Sequence, residues 1–78
     1  MMIELHEEDD KEFGRRLMAL RRKTGLTQWQ FAHLLGITRS SYSHYETGRR
    51  SPDRRMILRI ANRFKVSLDT LLKGVEVS

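Results

Sequence analysis

The 78-residue chain contains no cysteine. Without thiols it has neither a disulfide nor a cysteine-held zinc, so ordinary side-chain packing must hold one small domain together. The lack also fits a reducing, cytoplasmic setting. Apolar runs last only a few residues, too short for a bilayer-spanning helix or a signal-peptide core, so no membrane is expected. One proline and five glycines leave few helix breakers, and no alternating apolar–polar stretch lasts long enough to suggest a sheet. A glycine-rich phosphate loop and a strand-to-helix nucleophile turn are both missing. His6, His33 and His44 stand at no standard metal-ligand spacing, so neither a metal nor a cofactor is expected.

What is present is charge, unevenly placed. The first twelve residues hold six acids (Glu4, Glu7, Glu8, Asp9, Asp10, Glu12) and one base, Lys11. From Phe13 onward there are fourteen bases against four acids, Glu46, Asp53, Asp69 and Glu76. Solubility alone would be served by interspersed signs. A basic body behind an acidic leader points instead to a polyanionic partner.

Helical periodicity accounts for nearly the whole chain. A first helix is expected over about residues 9–23, with acids at its start and Arg21, Arg22 and Lys23 at its end, as the helix dipole favours. Phe13, Leu17 and Leu20 form its apolar stripe, and Gly25 stops it. Thr27-Gln28-Trp29-Gln30 reads as a capping box opening a second helix, with Phe31, Ala32 and Leu35 inward and Gly36 at its end. Thr38 caps a third helix through Glu46, with Tyr42 and Tyr45 inward and Gly48 closing it.

Ser51-Pro52-Asp53 signals a fourth helix, with a cap, proline at the first helical position and an acid in the first turn. Ile57, Ile60, Ala61 and Phe64 face inward from it. "SLDTLLKG" gives a short fifth helix packed through Leu68, Leu71 and Leu72. Residues 1–8 read as a loose acidic leader, 9–74 as the domain and 75–78 as a tail. The second and third helices, joined by a tight glycine turn, have the spacing a helix-turn-helix needs.

"GLTQWQFAHLLGITRSSYSHYETGRRSP", followed by "IANRFKVSLDTLLKG", resembles the phage-repressor (XRE) type of helix-turn-helix domain over about residues 13–74. The resemblance implies an all-α, compact, five-helix lambda-repressor-like domain that binds double-stranded DNA, usually as a two-fold homodimer, and regulates transcription, with repression the leading expectation. By position it assigns Gln28 to a phosphate and the recognition helix. It puts Thr38, Arg39, Ser40 and Ser41 in the first turn of that helix. Ser43 and His44 follow one turn along, and Thr47, Gly48, Arg49 and Arg50 form a loop against the sugar-phosphate backbone. It also pairs Glu46 with Arg21 as a structural ion pair between the first and third helices.

Chemistry leaves alternatives at several of these positions. The Arg39 fork suits O6 and N7 of guanine, yet a phosphate contact suits it equally. Thr38 and Ser41 serve as cap and backbone-satisfying hydroxyl as readily as phosphate ligands. Tyr42 and Tyr45 share a face and read as core. Ser41, Ser43 and His44 invite a catalytic reading, but residues 41 and 43 diverge on a helix and the one acid near His44 is Glu46, two residues on, so no enzyme is expected. An antitoxin with a toxin partner and a restriction–modification controller are alternatives on the same fold. Trp29, Leu34, Arg54, Met56 and Leu58 depart from the family pattern. The apolar ones, with the C-terminal "LLKGVEVS", are candidates for a dimer or partner face; Trp29 alternatively lies flat on a sugar-phosphate strand.

Overall fold

The computed structural model describes residues 7–73. All regular structure among them is helical: α1 (Glu7–Thr24), α2 (Gln28–Leu35), α3 (Arg39–Thr47), α4 (Arg54–Phe64) and α5 (Leu68–Lys73). None of these helices is long and apolar enough to cross a membrane. The expected leader and tail lie mostly outside the described residues. Where they overlap, α1 starts at Glu7, two residues before the expected boundary. Consecutive acids are favourable in a first helical turn, which draws the start forward.

The caps follow from local chemistry. Thr27 accepts from the Gln30 amide at 3.1 Å while the Gln30 side chain accepts from the Thr27 amide at 2.9 Å. The capping box is therefore complete. Gly36 has φ 73°, and the next residue's amide, Ile37 N–H, reaches back to Ala32 O at 3.1 Å. This Schellman closure reverses the chain within one residue and starts α3 beside the end of α2. Arg59 of α4 donates to Leu35 O at 3.0 Å, satisfying a further carbonyl of that helix end.

The start of α4 differs from expectation. Asp53, not Ser51, is the cap, accepting from the Met56 amide at 2.9 Å. The Ser51 hydroxyl is drawn away to Asp10 on α1, and Pro52 is buried one residue before the cap. At its far end α4 closes on Lys65 with φ 54°, the one non-glycine residue of positive φ among those described. A lysine there carries a steric penalty that glycine lacks. Lys65→Gly is expected to raise stability by about 0.5–1 kcal/mol, read as a higher urea midpoint.

Leu17, Phe31, Ala32, Leu35, Tyr42, Ile60 and Leu71 make the centre of the core, with Phe13 and Tyr45 at its edge. Phe31 is the hinge of this packing. Its ring stacks on Phe64 of α4 at 4.1 Å and tilts against Tyr42 of α3 at 5.0 Å. Leu20, Ile57, Ala61 and Phe64 are only partly buried, and α5 contributes less than expected. Leu71 is buried, but Leu68 and Leu72 are 40% and 45% exposed. A helix of six residues at the edge of the body has too little length to cover two sides. Its end is held instead by Arg16, which donates to Leu71 O at 2.8 Å and Leu72 O at 2.7 Å.

Candidate nucleic-acid interface

The interface is built outward from one buried carboxylate. Glu46, near the end of α3, is 3% exposed and would be intolerable there unpaired. Arg21 of α1 grips it with both ends of its fork, Nε to Oε2 at 2.6 Å and Nη2 to Oε1 at 3.3 Å. Gln28 of α2 donates to Oε1 at 2.9 Å, and the Tyr42 hydroxyl donates to Oε2. The third Arg21 donor, Nη1, holds Leu26 O at 3.0 Å in the α1–α2 turn. Three helices therefore meet at a single side chain.

Burial alone would raise the Glu46 pKa, but the donors from Arg21, Tyr42 and Gln28 outweigh it and hold the carboxyl below its ordinary 4.5. Burial, reinforced by Glu46, pushes the Tyr42 hydroxyl well above its ordinary 10.0. The signs follow from linkage. Stability from Glu46 is present above the unfolded carboxyl value and is lost as pH falls through the lower folded one. Stability from Tyr42 is present below about pH 10 and declines as pH rises beyond it. Thermal melts between about pH 2 and pH 7 are expected to show a steep acid limb that flattens in Glu46→Gln.

With Tyr42, Tyr45 and Glu46 turned inward, the other side of α3 faces out. Thr38, Arg39, Ser40 and Thr47 are exposed, and Ser41, Ser43 and His44 are partly so. Arg39, Ser40, Ser43, His44 and Thr47 share the outward face by helical spacing. The Thr38 hydroxyl accepts from the Ser41 amide at 3.1 Å and donates to the Ser41 hydroxyl at 3.0 Å. The Thr38 hydroxyl therefore caps the helix, while among the described residues the Ser41 hydroxyl meets only the Thr38 hydroxyl and no backbone group. Gln28 donates to Glu46 of α3, which is the contact to the third helix that the resemblance implies.

Beyond α3 the chain is pinned to the end of the helix by backbone hydrogen bonds. The amides of Arg49 and Arg50 both reach back to His44 O, at 2.9 and 3.2 Å. The two arginines are exposed on a backbone that is itself fixed. Gly48 has φ 78°, and a Cβ there would come within 2.7 Å of Lys11 on α1. Glycine is needed for both the turn and this approach.

Besides the Tyr42 hydroxyl, sequence reasoning missed three contributors. Gly14 of α1 lies so close to the end of α3 that a Cβ would stand 2.4 Å from Glu46 O. Lys11 packs under Gly48, and Asp10 takes the Ser51 hydroxyl. None has a local signature. The Tyr42 hydroxyl had one: a tyrosine on a buried face needs a partner for its O–H. Among the described residues no His, Asp or Glu cluster suits a metal ion.

A family model described as a helix-turn-helix domain matches residues 14–77. The uncharacterized HTH-type transcriptional regulator YqaE of Bacillus subtilis is 47% identical over 62 residues, covering 80% of this chain and 53% of that protein. This chain spans about half the length of the curated relatives it matches. Among solved structures, the restriction-modification controller protein C.AhdI from Aeromonas hydrophila superposes with TM-score 0.79 at 34% identity, over 87% of this chain and 99% of that one. The P22 c2 repressor protein, solved in complex with synthetic operator 9T, superposes with TM-score 0.74 at 27% identity, over 81% and 96%.

Proposed function

The chain belongs to the helix-turn-helix domain family, and from that premise we propose that it is a transcriptional regulator reading a palindromic operator in duplex DNA as a homodimer. The observation that carries the reading is the exposed first turn of α3, with Arg39 and Ser40 outward, together with the exposed pair Arg49 and Arg50 that follows the other end of the helix after Gly48. In this mode α3 enters the major groove, α2 crosses the backbone, and the two half-sites lie about one helical turn (~34 Å) apart. Arg39 reads a guanine through its fork, and Ser40, Ser43 and His44 lie along the groove. Thr47, Gly48, Arg49 and Arg50 hold a phosphate strand. Occupancy near a promoter then blocks transcription.

In-vitro selection of bound duplexes tests the reading. An enriched two-fold motif is expected, and Arg39→Ala should lose about 1–3 kcal/mol of discrimination at one base pair of each half-site. Arg49→Ala should instead weaken all sequences alike and lower the salt dependence by about one ion. Selection that enriches nothing refutes sequence-specific binding. Uniform weakening by Arg39→Ala makes that residue a phosphate contact only.

A second reading is favoured by the match to 99% of a controller protein of a restriction–modification system. On that reading the selected motif lies upstream of a methyltransferase–endonuclease gene pair. Its absence there removes the controller role and leaves DNA reading intact.

A further inference from the structure

Trp29 is the chain's single tryptophan and is 67% exposed. Neither the core nor the base-reading face of α3 uses it. Its ring lies parallel to the imidazole of His33, one turn along α2, with centroids 6.5 Å apart and planes 12° apart. The indole thus has a parallel ring beside it on its own helix, an arrangement that lowers the entropy lost on contact to the extent that it favours one rotamer.

Two shallow grooves meet at this stacked pair. One, of about 330 Å³, is lined by Leu26, Trp29, Gln30, His33 and Leu34. The other, of about 280 Å³, runs from Trp29 and His33 over Ile37 to Thr38 and Arg39. The second groove is therefore continuous with the first turn of α3. The charge around it has one sign: α2 carries no acid, and the only acid of α3 is the buried Glu46. Such a surface suits a polyanion better than an acidic-rimmed protein partner.

We infer that Trp29, steadied by His33, packs against the deoxyribose faces of the DNA strand that α2 crosses when α3 enters the groove. The inference rests on the proposed DNA-reading function and adds a contact of different chemistry to it. Sugar rings present C–H surface of any sequence, so the contact strengthens binding without reading bases. Being uncharged, it releases no counterion. These properties separate Trp29 from both arginines: Arg39 changes sequence preference, Arg49 changes the salt slope, and Trp29 changes neither.

The test uses wild type, Trp29→Ala, Trp29→Phe and Arg49→Ala with the selected duplex and with random-sequence duplex. Trp29→Ala is expected to bind both about tenfold more weakly, with an unchanged slope of log affinity against log salt. Trp29→Phe should recover most of the loss. Because wild type has one tryptophan, its emission reports the site directly, and acrylamide quenching should fall when duplex is added. If Trp29→Ala binds as wild type does, and quenching is the same with and without duplex, the inference is overturned while DNA reading stands. If wild type retards no duplex at all, the proposed function falls and this inference with it.

Discussion

Arg21→Ala is expected to cost about 3–5 kcal/mol, because it leaves the Glu46 carboxylate buried with no opposite charge. A domain of this size rarely has more than about 3–5 kcal/mol to lose. The variant should therefore be largely unfolded at physiological temperature. The size of the effect comes from what is left behind. Glu46 keeps Gln28 and Tyr42 as donors, but neither is charged, so protonation or local opening is forced. Leu26 O also loses its donor. Glu46→Ala strands Arg21 in turn, although that guanidinium, which is only partly buried, can reach solvent. A double-mutant cycle on the two positions should therefore give strong coupling in urea unfolding. Coupling near zero would show that the pair contributes nothing beyond its separate side chains.

Gly14→Ala should destabilise by about 1–3 kcal/mol, against the sign that helix propensity predicts. In a solvent-exposed helix the same change would gain up to about 1 kcal/mol. Here the added methyl would meet Tyr45 O at 2.6 Å and Glu46 O at 2.4 Å. Both are backbone atoms, so no rotamer change relieves the contact, and α1 must move away from the end of α3. That movement also pulls on the Arg21–Glu46 bonds. Gly14→Val, with more bulk, should be worse. Circular dichroism melts give the ordering directly, and a Gly14→Ala protein as stable as wild type would mean the two helices do not approach as described.

Much of the scaffold was legible because its cues are local. Thr27 with Gln30, Thr38 before α3, and glycines at residues 25, 36 and 48 each declare a helix end within four residues of chain. Periodicity placed Tyr42 and Tyr45 inward and so turned the polar side of α3 outward, whereas the roles of its individual residues came from the family resemblance. The misses are tertiary. Ser51 and Asp53 are both good caps, and the choice fell to Asp53 because Asp10, 41 residues away in sequence, occupies the Ser51 hydroxyl. Periodicity gave α5 an apolar face but not how much body there was to cover it, so Leu68 and Leu72 stayed exposed. Gly14 looked like an ordinary helical residue, since close approach is a property of two segments and is written in neither.

The junction at Glu46 has a consequence for how such a domain changes over time. The side chains that fix the pose of α3 (Arg21, Gln28, Tyr42 and Glu46) are not the ones on its outward face (Arg39, Ser40, Ser43 and His44). Substitutions in the second set leave the first untouched, and exposed helix positions usually shift stability by no more than about 0.5 kcal/mol. On the proposed reading, operator preference can therefore drift through many intermediates that all remain folded. Scaffold and address are written in separate residues, and a chain with little stability to spare can acquire a new target without passing through an unfolded ancestor.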